Sequence, residues 1–236
     1  MTKLSKESFI PLFGTWWPRI EKFFDAGGFD KIYERLKSDS KRGVLTAPLS
    51  SNVFRCFSET PIDEVKVVMC GLSPYHTFYN NLPIADGILM SCSITKKLQP
   101  SLLKFYEELE RTMNNGEECS RNPDLRYLCK EGVLMLNSSL TTSYMKAGNH
   151  CEMWEPFMKY LFEEVLNTNG IPMIFLGKES AKLKRYVFPF TWIFELTHPA
   201  YASYQNIDWF SDDVFNKINK ILHDNNKNSI QWMKTN

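Results

Sequence analysis

Four short apolar, β-rich runs recur along the chain: VKVVMC (65–70), VLMLNS (133–138), PMIFLG (172–177) and TWIFEL (191–196). None shows the apolar-polar alternation of a half-exposed strand, so each reads as a strand buried on both faces. Between them the pattern changes period. SLLKFYEELERTM follows Pro100, has Ser101 near its start, and places Leu102, Phe105, Tyr106 and Leu109 on one face of a helix. WEPFMKYLFEEVLN and ESAKLKRYVF fill the next two intervals as helices, and DDVFNKINKILHDN reads as a closing helix. Strands alternating with helices predict an α/β fold, a three-layer sandwich with a central four-stranded parallel sheet and helices on both sides. Residues 1–63 read as a helical, loop-rich region packed on that unit, and a chain of 236 residues suits one such domain.

Composition narrows the class. With 43% hydrophobic and 14% aromatic residues the chain can bury a sizeable core, and a net charge of +1 sets up no global basic field. A nucleic-acid ligand would have to be held by a local patch. The N-terminal stretch MTKLSKESFIPLFGTWWPRI lacks the apolar centre of a secretory signal, and no run approaches the roughly 18 apolar residues of a membrane span. A cytosolic or nuclear protein with no membrane partner is therefore expected. The six cysteines contain no C-x-x-C pair and the four histidines add no metal spacing. They read as reduced thiols, mostly in the core, and no metal or cofactor is called for. The many Asn, Lys and Ile residues suggest an AT-rich coding sequence of the kind phages and plasmids carry.

In open parallel sheets the loops leaving the carboxyl ends of adjacent strands converge over one crevice. The first strand exits into Gly71-Leu72-Ser73-Pro74-Tyr75-His76, and the second ends at Asn137. The third ends at Gly177-Lys178, and the fourth runs into Thr197-His198-Pro199-Ala200-Tyr201. Asparagine, tyrosine, lysine and two histidines are thus expected around one pocket. Taken singly, each has a plain structural reading as a turn residue or a satisfied core histidine.

Together these segments resemble the uracil-DNA glycosylases of the family-1 type. VKVVMCGLSPYH stands where that family has a strand running into G-Q-D-P-Y-H, its water-activating motif. PSLLKFYEEL is similar to the proline-rich loop and helix whose serine grips a DNA phosphate, and GVLMLNSSLT to the strand ending in the uracil-reading asparagine. NHCEMWEPF resembles the family's His-then-Trp-Glu-x-Phe segment, and THPAYAS its H-P-S-P-L-S wedge loop. NIDWFSDDVFNKINKIL followed by IQW resembles the closing helix and terminal Ile-x-Trp, so the likeness runs from about Val53 onward.

The resemblance implies hydrolysis of the glycosidic bond of a uracil, or a related pyrimidine, flipped out of single- or double-stranded DNA. It implies that His198 donates to O2 of the departing base, that Asn137 reads the base edge, and that Tyr75 stands against C5. It implies phosphate contacts from Ser101 and Ser203, and a wedge formed around Ala200, Tyr201 and Ala202. Lys178 would lie near the DNA. Protein partners of two kinds follow from it: an inhibitor that mimics DNA, and a replication or repair protein. Four positions depart from the pattern: Ser73 replaces the aspartate, Leu72 the glutamine, Met90 the phenylalanine that stacks on the base, and Ala202 the intercalating leucine, with Tyr201 or Tyr204 as substitute wedges. Asp86 is a candidate replacement carboxylate that its loop setting argues against. Two functions stay open: a glycosylase with weakened or altered catalysis, and a non-hydrolysing homologue that binds DNA or a protein.

Overall fold

The computed structural model describes residues 4–167, 170–189 and 191–234. Three helices open the chain, α1 (Lys6–Phe13), α2 (Trp17–Asp25) and α3 (Asp30–Lys41). Strand β1 (Val67–Gly71) is followed by α4 (Pro100–Met113), β2 (Val133–Asn137), α5 (Cys151–Tyr160), β3 (Met173–Leu176) and β4 (Ile193–Leu196). A short α6 (Pro199–Gln205) and the closing α7 (Val214–Asp224) complete the fold. The four strands pair in the order β2-β1-β3-β4, and every pairing is parallel.

Period-2 geometry sorts the sheet residues onto two faces. Val68, Cys70, Leu134, Leu136, Met173 and Phe175 join the cluster that contains α5 and the N-terminal helices. Val67, Met69, Val133, Met135, Ile174 and Leu176 join the cluster built on α4 and α7. This is the predicted three-layer arrangement. On the first face the packing is aromatic: Phe13 lies 4.5 Å from Phe54 and Phe29 5.3 Å from Phe157, centroid to centroid, and the Trp16 indole N–H donates to the Thr60 carbonyl at 2.7 Å.

Two expectations need correcting. TWIFEL is not buried on both faces: β4 is an edge strand whose residues alternate between exposed and half-buried. Glu195 points outward to Lys184 at 2.6 Å, the kind of charge that blunts an edge strand. ESAKLKRYVF is not one regular helix but a single α-turn, Lys178–Ala181, that tightens into a 3-10 run from Lys182 to Tyr186. The six cysteines are unpaired; Cys56, Cys70, Cys92 and Cys129 are buried and Cys119 and Cys151 half-buried. Among the described residues no helix is long and apolar enough to cross a membrane.

The long connection from β1 to α4 is held by a glycine. Gly87 has φ +92°, and a Cβ there would fall 1.9 Å from the Asn52 carbonyl oxygen. A Gly87→Ala substitution therefore carries both backbone strain and a main-chain clash. It should lower unfolding free energy by about 3 kcal/mol in urea titration.

Candidate active site

The register of the sheet creates the site. Gly71 and Asn137 are paired across β1 and β2 at their carboxyl ends. Beyond β4, the chain turns through His198 into α6. A methyl group built on Gly71 would lie 2.5 Å from Leu89 Cδ1, 3.3 Å from Asn137 Oδ1 and 3.7 Å from His198 Nε2. The absent side chain lets Leu89, the Asn137 amide and the His198 imidazole close in on one point. Asn137 is 5% exposed, and its Oδ1 is buried without a hydrogen-bond partner. An orphaned acceptor of this kind costs stability unless a ligand satisfies it.

His198 is the N-cap of α6, and its Nδ1 accepts the Ala200 backbone N–H at 3.0 Å. Accepting at Nδ1 places the proton of the neutral ring on Nε2, the atom that faces Gly71. Burial pushes the imidazole pKa down to about 4, so the ring is a neutral donor at ordinary pH.

Around this floor the turn after β1 builds a cleft of about 500 Å³. Leu72, Ser73, Tyr75, Met90, Ser101, Ala200, Tyr201 and Ser203 line it with His198, as do His76 and Tyr204. Ser73 Oγ accepts the Gly148 N–H at 3.0 Å. The Tyr75 hydroxyl reaches Ser101 Oγ at 2.8 Å and the Met90 carbonyl at 3.2 Å, and burial raises its pKa far above the usual phenol value. The His-then-Trp segment braces the wall: His150 Nδ1 lies 2.9 Å from Thr141 Oγ1, which also accepts the Trp154 indole N–H at 2.8 Å. Sequence reasoning singled out the segment yet not the Gly148 amide, whose bond to Ser73 spans 75 residues.

Asn137, Ala202 and Lys178 are not among the residues that line the cleft. The expected wedge loop is helix α6, begun by the His198 cap and Pro199 and ended by left-handed Asn206. On a helix, residues three apart share a face: Pro199 and Ala202 turn inward, leaving Ala202 2% exposed, while Tyr201 and Tyr204 turn outward at 55% and 80% exposure. Ala202 therefore has no surface to offer DNA. Lys178 is exposed and outside the cleft lining, because Gly177 at φ +91° turns the chain into the next helix.

A family model described as the uracil DNA glycosylase superfamily matches residues 57–223. The chain belongs to this superfamily. A uracil-DNA glycosylase of Pseudomonas paraeruginosa is 29% identical over 228 residues, covering 94% of this chain and 95% of the relative. The crystal structure of mimivirus uracil-DNA glycosylase superposes with a TM-score of 0.84 at 24% identity, covering 98% and 90% of the two chains. A mimivirus variant, Y322L, in complex with UGI gives 0.83 at 23% identity, covering 98% and 91%.

Within a uracil DNA glycosylase superfamily fold, the most consequential feature is what the cleft lacks: among the described lining residues none is Asp or Glu. Asp86 does not fill that place. It is completely buried, accepting from Ser91 Oγ at 2.6 Å, Ser93 Oγ at 2.5 Å, Ser93 N at 3.0 Å and Ile88 N at 3.2 Å, with Arg55 3.5 Å away. Its loop is not solvated, and its lone pairs are spent on fixing a turn.

The depressed pKa of His198 has a stability consequence. Between pH 6.5 and about 4 the unfolded histidine binds a proton that the folded one refuses, so stability falls as pH falls through that window. From pH 7 to pH 4.5 this amounts to about 2 to 3 kcal/mol. His198→Asn, which keeps a capping acceptor, should lose that much less over the same interval in urea titrations.

Proposed function

We propose that the protein is a uracil-DNA glycosylase of weakened catalysis. It takes a uracil flipped out of DNA into the cleft beside His198 and hydrolyses the bond from C1′ to N1. The observation that carries this reading is the approach of two polar atoms to one point beside the cleft: the unpaired Asn137 Oδ1 and the Nε2 of neutral His198, which itself lines the cleft. Uracil presents an N–H at position 3, which satisfies that acceptor. Cytosine presents a lone pair there and is repelled. As the glycosidic bond breaks, its electrons pass to the base and charge builds on O2, where the fixed Nε2–H donates without reorganisation. Water then adds its oxygen to C1′ and releases a proton, and the base leaves as uracil.

The sugar side is poorly served. Ser73 offers water a lone pair and no charge, and its oxygen is already engaged by Gly148. Relative to a site with a carboxylate at this position, the rate should be lower by about two to three orders of magnitude. Ser203, Tyr201 and Tyr204 on the rim supply the contacts to the strand, with the tyrosines taking the wedge role that buried Ala202 leaves unfilled. The acid-free cleft supports a second reading in which uracil is bound and not cut, so that the protein serves as a DNA-binding module. For a DNA-mimicking inhibitor, the same two tyrosines are the protrusions it would have to accommodate.

Incubation with a uracil-containing single-stranded oligonucleotide, followed by alkali, should yield cut strands at enzyme excess. His198→Ala should abolish cutting; persistence at the wild-type rate would expose a contaminating enzyme. Intact strands after long incubation, with retained binding, would establish the second reading. Ser73→Asp should raise the rate by about a hundredfold, and a flat response would place the defect in Leu72, Met90 or the rim. Tyr75→Ala should admit thymine, measured as cleavage of a thymine-containing strand.

A further inference from the structure

The Tyr75 ring lines the base cleft, but nothing about a tyrosine fixes where the ring stands: two side-chain torsions must be held. Here its hydroxyl is caught between two elements. On one side is Ser101 Oγ at 2.8 Å, in the first turn of α4; on the other is the Met90 carbonyl at 3.2 Å. Proton accounting sets the direction. The phenol has one hydrogen and gives it to the Met90 carbonyl, so the Ser101 hydroxyl must donate to the phenol oxygen. The serine then has only lone pairs left and cannot donate to a phosphate from the same position.

The Met90 side of the clamp is built for rigidity. Met90 has φ +58°, a conformation a non-glycine residue seldom adopts. The turn that imposes it is held by Asp86 through Ile88 N, Ser91 Oγ and Ser93 N, and by the Leu89 N–H on the Met135 carbonyl of β2 at 3.1 Å. Strain held by surrounding structure at a site points to a positional task.

We infer that Ser101 is a positioning residue for base specificity: with the strained Met90 carbonyl it pins the Tyr75 ring against C5 of the bound pyrimidine, and so sets the discrimination between uracil and 5-substituted bases. This rests on the base-binding reading above. It replaces the phosphate-gripping role for the Ser101 hydroxyl with a gate-holding one.

The test uses hydrolysis-resistant 2′-fluoro oligonucleotides carrying one uracil or one thymine, with dissociation constants read by fluorescence anisotropy. Any contribution of Ser101 to the phosphate path is common to both strands and cancels in the ratio. The wild-type protein should prefer the uracil strand. Ser101→Ala should shrink that preference about three- to tenfold, the range one net hydrogen bond is worth. Tyr75→Phe, which keeps the ring and removes the hydroxyl, should shrink it likewise, and Ser101→Thr should restore it. An unchanged ratio in a folded Ser101→Ala or Tyr75→Phe protein would overturn the inference, as would a wild-type protein with no preference. A clear preference in a protein that cuts no uracil strand would sink the hydrolytic reading and leave the clamp standing.

Discussion

Because Gly71 ends β1 without a side chain, groups from β2 and from the loop after β4 can approach one point above the sheet. Any larger residue would put its Cβ 2.5 Å from Leu89 Cδ1 and occupy the gap between Asn137 Oδ1 and His198 Nε2. The parallel register does the remaining placement. Pairing Gly71 with Asn137 brings the amide to the strand end, and pairing Leu176 with Leu196 aligns the exits of β3 and β4. Gly177 then passes close beneath the imidazole, within 3.4 Å of His198 Cβ were it to carry a side chain. The site is thus set by the ends of the parallel strands and the turns that leave them.

The electrostatics follow from burial. Leu72, Ile88, Leu89 and Met90 give the cleft apolar walls, and in such surroundings a neutral donor and an unpaired acceptor act more strongly than they would in water. The same surroundings forbid an unpaired imidazolium, which is why His198 is neutral with its proton fixed on Nε2 by the α6 cap. One interaction, Ala200 N–H to Nδ1, therefore starts a helix and selects a tautomer. The helix it starts turns Tyr201 and Tyr204 to the cleft mouth and Ala202 into the core.

β1, β2 and β3 were legible as apolar runs because burial on both faces favours apolar residues along their length. β4 was misread because Glu195, its one polar marker, sits among aromatic and aliphatic residues that an edge strand also tolerates. The exits carrying Ser73, Tyr75, Asn137 and His198 were legible from strand ends plus family likeness. The burial of Ala202 and the position of Lys178 outside the cleft lining were not legible, since the likeness concerns residue order, whereas exposure depends on the phase of α6 and on the turn at Gly177. The bonds from Gly148 to Ser73 and from Ser101 to Tyr75 join residues 75 and 26 positions apart. Periodicity carries no signal for such pairs. Asp86 shows the converse: loop acids are usually solvated, but a carboxylate that accepts from four donors can be completely buried.

The proposed loss of catalytic power at Ser73 requires no loss of the fold. At this point the backbone requires an acceptor for the Gly148 N–H, and Gly148 itself, at φ +68°, is packed so that a Cβ would meet Leu72 at 3.2 Å. A hydroxyl oxygen meets that demand as a carboxylate oxygen would. What it does not supply is a negative charge beside the sugar. On the proposed reading the structural and chemical duties of this position are separable: the turn that presents Tyr75 to the cleft is kept, and the cost of the missing charge would fall on the water and the sugar. If the base is read as proposed, recognition and cleavage draw on different residues, so the first can persist while the second declines.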